Sequence, residues 1–456
     1  MIKKFVLCAS VSSLMLAASP VQAADNMSSA EMQKQLMLLS SQVEALTKVV
    51  KQQDIELKKQ KQESAEAIAN IEPASGGIVG DVKISMKPSP KIESTDGKYS
   101  FQPFGRVHLD LSMFDDDKKD HSSNANFRRT RIGFKGKLGD DLKYKSEFEF
   151  AGESINYRDV YLTYTGLDFA DIKLGSQKPA FGMEQNTSSN YIMFMERAAP
   201  TNAFTRQYEI GANAVGGGDN WSLAAGVFNE DAGNKGTGED EDITFDVRGS
   251  ANILGLMNND SKNVLHLGLG VSHRRPTGTV SFSAKPAGDG DKIVNTGSIS
   301  AVDTVNVYGL EAAAVFGPAS FQGEYFRADV NRSNGNTDAD FDGYYAQAGW
   351  ILTGETRPYK GKKGNFGRLK PAKPFNLKEG GWGAWELLAR YENLDLNDNS
   401  ASINGGELDN VSVGLNWHLN DRVRLMANVV DVDTDSNAVV ADDDPTLYNF
   451  RAQWDF

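Results

Sequence analysis

From Phe101 to the C-terminal Phe456 the chain repeats with a period of two. The last nine residues show it most clearly. Tyr448, Phe450, Ala452, Trp454 and Phe456 fall on one face, and Asn449, Arg451, Gln453 and Asp455 on the other. Successive side chains of an extended segment point to opposite sides, so this pattern specifies a strand with one apolar and one polar face. Val107, Leu109, Leu111 and Met113 alternate with His108, Asp110 and Ser112 in the same way. Tyr144, Ser146, Phe148 and Phe150 alternate with Lys145, Glu147 and Glu149, and Val411, Val413, Leu415 and Trp417 with Ser412, Gly414 and Asn416.

A soluble β-sandwich alternates too. Two features favour a membrane barrel over it. Tyr and Trp cluster near strand ends, and the links between strands alternate between short and long, as the turns and external loops of a barrel do. Sixteen strands can be placed, beginning near Phe101, Phe127, Leu142, Arg158, Ala170, Tyr208, Trp221, Ile243, Asn263, Asn306, Ser320, Tyr344, Trp382, Glu407, Val423 and Thr446. The short links 139–141, 167–169, 216–220, 317–319 and 420–421 are assigned to the periplasmic side. The long links 115–126, 177–207, 229–242, 274–305, 329–343 and 431–445 are assigned to the outside. A barrel of this size encloses a water-filled channel rather than a packed interior. The fold class expected is all-β: a 16-stranded antiparallel transmembrane β-barrel over residues 100–456, preceded by an N-terminal α-helical coiled-coil segment.

The N-terminal portion reads differently. Lys3 and Lys4, the apolar stretch from Phe5 to Ala18, Pro20 and the small residues around Ala23 have the layout of a secretory signal peptide over 1–23. Cys8, the chain's one cysteine, lies inside it. Within 24–70, Met32, Leu36, Leu39, Val43, Leu46, Val50 and Leu57 recur at steps of four and three, with Gln53 and Gln60 continuing the seam. This is heptad spacing, which suggests an oligomerisation stalk in the periplasm able to contact the cell wall. Residues 71–99, with Pro73, Gly76, Gly77, Pro88 and Pro90, read as a linker.

Charge narrows the partners. With 48 Lys and Arg against 61 Asp and Glu, the formal charge is −13, which argues against nucleic acid. Outer-membrane lipids and lipopolysaccharide are the expected surroundings. His108, His121, His266, His273 and His418 are scattered with no catalytic or metal-ligand spacing, no loop has EF-hand spacing, and no cofactor or enzymatic activity is expected.

Three segments stand out against the acidic background. Arg129, Arg131, Lys135 and Lys137 share one side of a strand whose other side carries Ile132 and Phe134. They must face the lumen, since a cation on the lipid face costs about 2–4 kcal/mol near the midplane. They either draw anions or pair with Glu147 and Glu149 on the next strand. The link from Gln177 to Arg206 is long enough to fold inward and constrict a pore. Residues 353–381 carry Arg357, Lys360, Lys362, Lys363, Arg368, Lys370, Lys373 and Lys378 against Glu355 and Glu379.

Phe127-Arg128-Arg129-Thr130-Arg131, Arg158-Asp159-Val160-Tyr161, Thr187-Ser188-Ser189 with Glu196-Arg197, Leu352 to Tyr359 and Gly383-Ala384-Trp385-Glu386 together resemble the phosphate-selective porin (O/P) family of trimeric outer-membrane channels. The resemblance covers essentially Phe101 to Phe456. It implies a homotrimer passing small anions such as phosphate. It further implies a central anion site at Arg128, Arg129, Asp159, Ser188, Ser189 and Arg197, with Arg131 beside it, and a basic periplasmic turn that enters the lumen. Gln185 stands where phosphate-binding members carry a lysine.

Overall fold

The structure, a computed structural model, describes residues 78–79, 81–86, 89–231, 243–259, 261–286 and 291–456, with scattered positions between 30 and 59. The chain divides into residues 1–74 and 75–456. In the first unit, the described residues between 30 and 59 are helical and exposed. The seam positions Met32, Leu36, Leu39, Val43, Leu46, Val50, Gln53, Leu57 and Gln60, and the whole of 1–23, lie outside the described residues.

The second unit is a closed antiparallel barrel of sixteen strands. They are β1 (Tyr99–Asp115), β2 (Asn124–Leu138), β3 (Leu142–Glu149), β4 (Asn156–Tyr164), β5 (Asp171–Gln177), β6 (Glu209–Gly217), β7 (Trp221–Asp231) and β8 (Ile243–Asn252). Then follow β9 (Val264–Arg275), β10 (Val302–Phe316), β11 (Ala319–Arg332), β12 (Ala339–Ile351), β13 (Ala384–Asp398), β14 (Ile403–His418), β15 (Val423–Thr434) and β16 (Thr446–Asp455). Each pairs with its neighbour in sequence, and β16 closes on β1 from Thr446↔Asp115 to Asp455↔Arg106. Closure leaves no free sheet edge around the ring, as a membrane-spanning sheet requires.

The segment read as a linker is partly structured. Val82–Ser85 and Lys91–Ser94 form a hairpin, and its second strand continues onto β1 through Ile92↔Phe101 and Glu93↔Ser100. Pro88 and Pro90 fall in sequence between the two strands, where a missing N–H breaks no ladder.

The outer surface follows the expected alternation. Tyr448, Phe450 and Trp454 are exposed while Leu447, Asn449, Arg451, Gln453 and Asp455 are buried. At the periplasmic rim the Trp385 and Trp417 rings stack at 4.8 Å, and near the external rim Tyr344 and Tyr391 meet at 6.0 Å. These are the two interfacial levels at which amphipathic rings settle.

The inner surface departs from a uniformly polar lining. On the external halves of β10 to β16 the inward residues are apolar, including Val305, Val307, Phe326, Val330, Phe341, Leu394, Leu408, Val430 and Leu447. They are covered by Phe282, Ala284, Ile293, Val294 and Ile299, from the link after β9, and by Ala199 and Phe204 from the link after β5. The link after β9, read as an external loop, therefore packs inside the barrel. Burying that apolar wall drives the association, at roughly 25 cal/mol per Å² of area removed from water.

Candidate functional site

The link between β5 and β6 folds into the lumen. Nearly every residue from Pro179 to Thr205 is buried, and two short helices form within it, α1 (Met183–Asn186) and α2 (Ala199–Phe204). A loop taken out of water must find partners for its backbone groups. They come from the wall opposite β2 and β3. Glu324 accepts from the N–H groups of Met183 at 2.6 Å and Glu184 at 2.9 Å, at the start of α1. Glu392 accepts from Ala199 N–H at 3.1 Å, and Asn428 from Met195 N–H at 3.0 Å. Asn416, Arg424 and Arg390 donate to the carbonyls of Met193, Ile192 and Glu196 at 2.9, 2.9 and 3.0 Å. Gly182 enters α1 at a φ of 76°, a left-handed conformation that favours glycine.

The turn between β12 and β13 enters from the periplasmic end and meets this loop. Asn365 donates to Asn186 O at 2.9 Å, and Phe366 N–H to Thr187 Oγ1 at 3.4 Å. Arg248 on β8 holds the tip through the carbonyls of Lys363 at 3.0 Å and Gly364 at 2.7 Å. Arg357 lies 3.6 Å from the centre of the Phe366 ring. Arg368 is forked onto Asp455 and donates to Tyr191 Oη at 3.0 Å.

Between the inner loop, the inward turn and the walls of β1 to β8 lies a cavity of about 1140 Å³. Seventeen Lys and Arg line it, against five Asp and Glu. Lys135, Lys143, Lys145 and Lys173 come from the wall, and Lys360, Lys362 and Lys363 from the turn. The chain as a whole is acidic, so this excess is a local property of the cavity lining.

All seven residues expected at the central site line this cavity: Arg128, Arg129, Arg131, Asp159, Ser188, Ser189 and Arg197. Their partners differ. His108 pairs with Arg129 and Leu109 with Phe127, so Arg128 is the extra residue of a β-bulge. The bulge lets two consecutive arginines turn inward. Both reach Glu196 of the inner loop: Arg129 at 2.5 and 2.8 Å in a forked pair, Arg128 at 3.1 Å. Arg451 of β16 joins them at 2.6 Å. Arg131 pairs with Glu149 at 2.6 Å, so the alternative of pairing with β3 holds for this residue. Asp159 is bonded to Lys145. Ser188 and Ser189 receive Arg106 Nη1 at 3.3 and 3.0 Å, and Arg106 also meets Glu147 at 2.8 Å. Arg197 spends its donors on the carbonyls of Glu184, Gln185 and Thr187, at 3.1, 3.4 and 2.8 Å. Of the basic turn, Lys360, Lys362 and Lys363 reach the cavity, Arg368 secures the turn, and Lys370 is exposed away from the lining.

Arg106, Lys178 and Arg451 were not singled out from the sequence as site residues, and Arg158 was quoted only as the first residue of a motif. Arg106 and Arg451 were legible as inward positions of β1 and β16, two residues from His108 and Gln453 in the dyad. Lys178 begins the loop, where no period applies. Its Nζ donates to Gln185 O at 2.8 Å, placing a cation beside the position where the lysine of the resembled family is absent.

Comparison with known proteins agrees with this architecture. Porin O of Pseudomonas aeruginosa is 30% identical over 435 residues, spanning 86% of this chain and 96% of that one. Among solved structures, an anion-selective porin from Comamonas acidovorans superposes with a TM-score of 0.51 at 15% identity, over 78% of this chain and all of that one. The trimer form of OmpT, an outer membrane protein of Vibrio cholerae, gives 0.52 at 14% identity, over 78% and 99%. At such identities these two share the fold. Residues 101–456 match the family of phosphate-selective porins O and P, and the chain belongs to it.

Proposed function

We infer that the protein is an outer-membrane channel through which small hydrophilic anions diffuse passively, with phosphate the leading solute. One observation carries this: the lining of the lumenal cavity presents seventeen cations to five acids in a chain of charge −13. Cations on two facing walls replace part of an anion's hydration shell and repel cations, while their number offers several weak stations rather than one deep trap. In this reading Arg128, Arg129, Asp159, Ser188 and Ser189 frame the narrow station, with Arg106 and Lys178 completing it. Arg197 acts by shaping the inner loop. Porin O and the anion-selective porin bear names consistent with this assignment.

The test is the reversal potential of the purified protein in a planar bilayer under a KCl gradient, repeated with phosphate. Anion preference with phosphate blocking the chloride current is the expected result. Cation preference would refute it.

The assembly is a homotrimer in this reading. Strands β3, β4 and β5 have 8, 9 and 7 residues, at or below the roughly 9–11 a tilted strand needs to cross a bilayer, so a neighbouring subunit would cover this low wall. Residues 24–70 form the periplasmic coiled-coil stalk and touch the cell wall. Deleting 27–66 should loosen envelope attachment and leave conductance intact.

A further inference from the structure

We propose that Glu196 is a tethered competitor for the permeating anion: its carboxylate occupies the arginine cluster and keeps anion binding weak enough for release. The inference rests on the reading of the lumen as an anion path, and names the residue that sets affinity within it.

Three guanidinium groups from β2 and β16, the two strands that flank β1, converge on this one carboxylate. Arg129 holds it by two bonds, Arg451 by one at 2.6 Å, and Arg128 by one at 3.1 Å. Two paired charge-assisted bonds are the geometry in which an arginine binds a phosphate or carboxylate ligand. Glu196 thus fills, from within the chain, the position a soluble anion would take. Arg451 is also forked onto Asp110 at 2.6 Å twice, and Arg129 lies 3.4 Å from His108 Nδ1, so these two remain secured with or without a visitor.

Arg128 is different. Its side chain is 34% exposed, against 5% for Arg129 and none for Arg451, and its contact with Glu196 is the longest of the set. It faces the cavity that Arg106, Ser188 and Ser189 also line. An arriving anion exchanges with Glu196 for Arg128, and the carboxylate reclaims Arg128 as the anion moves on. Backbone contacts keep the carboxylate in range, since Arg390 binds Glu196 O at 3.0 Å and Arg451 binds Met195 O. A channel needs such balance, because a site that binds too tightly stops conducting.

The experiment is block of the chloride current by inorganic phosphate across planar bilayers, comparing wild type, Glu196→Gln and, as a one-charge control on the exposed second external link, Glu153→Gln. In Glu196→Gln the half-blocking phosphate concentration should fall about tenfold, equivalent to about 1.4 kcal/mol, with slower recovery of current. Glu153→Gln should match wild type. Glu196→Asp keeps the charge but retracts it by one methylene, so it should let go of Arg128 alone and lower the half-block about threefold. This variant serves should the glutamine form fail to assemble. A folded Glu196→Gln or Glu196→Asp channel with unchanged half-block overturns the inference. Absence of anion preference in wild type overturns the reading of the lumen as an anion path instead, and the two failures are separable because one is read on wild type alone.

Discussion

The Arg368 guanidinium, on the turn between β12 and β13, is forked onto the carboxylate of Asp455, the penultimate residue of the chain. Arg422 shares that carboxylate at 3.2 Å. The pair joins the inward turn to the seam where the barrel closes, and Tyr191 Oη at 3.0 Å ties the same guanidinium to the inner loop. Arg368→Ala should release the turn at a cost of about 2 kcal/mol, between values for exposed and buried pairs. The expected signature is larger single-channel conductance with added current noise. A quiet channel of wild-type conductance would show that Arg248 holds the turn unaided.

Lys360, Lys362 and Lys363 are cations of the lining with little structural work to do. All three are exposed to the cavity, and Lys360 lies 5.4 Å from the Tyr191 ring centre. Replacing the three by Gln should leave thermal unfolding within about 0.5 kcal/mol, as for surface substitutions. Reversal potentials in a KCl gradient should move toward zero by an amount that shrinks as salt rises, because these charges act through screened solvent.

How far the fold could be read depended on what each face of a strand meets. Where lipid lies on one side and water on the other, alternation is forced, and all sixteen strands were found from Phe101 to Phe456. On the external halves of β11 to β15 the alternation persists with its polarity inverted: Phe326, Phe341, Leu394, Leu408 and Val430 face inward, and Asp329, Asp340, Asp395, Asp409 and Asp431 outward. Nothing in that pattern announced an internal partner. That partner, the link after β9 with Phe282 and Ile293, arrives from its own stretch of chain. Site geometry was harder for the same reason. Arg128 and Arg129 were visible as a motif, but Glu196 lies 67 residues from Arg129 and 255 from Arg451, and only barrel closure brings them together. The serines were visible too. Their partner Arg106, 82 and 83 residues away, was an unremarked inward position of the first strand.

The inner loop's seat gives a third prediction. Glu324 accepts two backbone N–H groups at the start of α1 and the hydroxyl of Tyr345 at 2.5 Å. Glu324→Ala strands two buried donors, each at a cost of about 1–3 kcal/mol. The barrel ladder is untouched, so strand content by circular dichroism should persist while the loop loosens. Conductance should rise, and half-blocking phosphate should increase as Ser188 and Ser189 lose their fixed place. A variant that conducts and blocks as wild type would mean that the anchors at Glu392, Asn428 and Arg390 suffice.

At the outer rim, Asp443 clasps the link after β1 to the link after β15. Its Oδ1 accepts from the N–H groups of Lys118 and Lys119 at 3.0 and 3.1 Å, and its Oδ2 meets His121 Nε2 at 2.9 Å. Burial alone would push this carboxyl up, but the His121 bond and the two backbone donors outweigh it and hold it below the ordinary carboxylate value. A group depressed on folding contributes stability above its unfolded pKa and loses it as pH falls through the folded one. The clasp should therefore stand unchanged from pH 7 to about 5 and open only below about 4, near and beneath the ordinary Asp value. Hydrogen exchange of the Lys118 and Lys119 amides, followed from pH 7 to 3 with the intrinsic rate divided out, reads this directly. Protection should fall only in the acid range. In Asp443→Asn it should be low throughout and free of that step. An opening well above the carboxylate range would show that Asp443 is not the group that releases it.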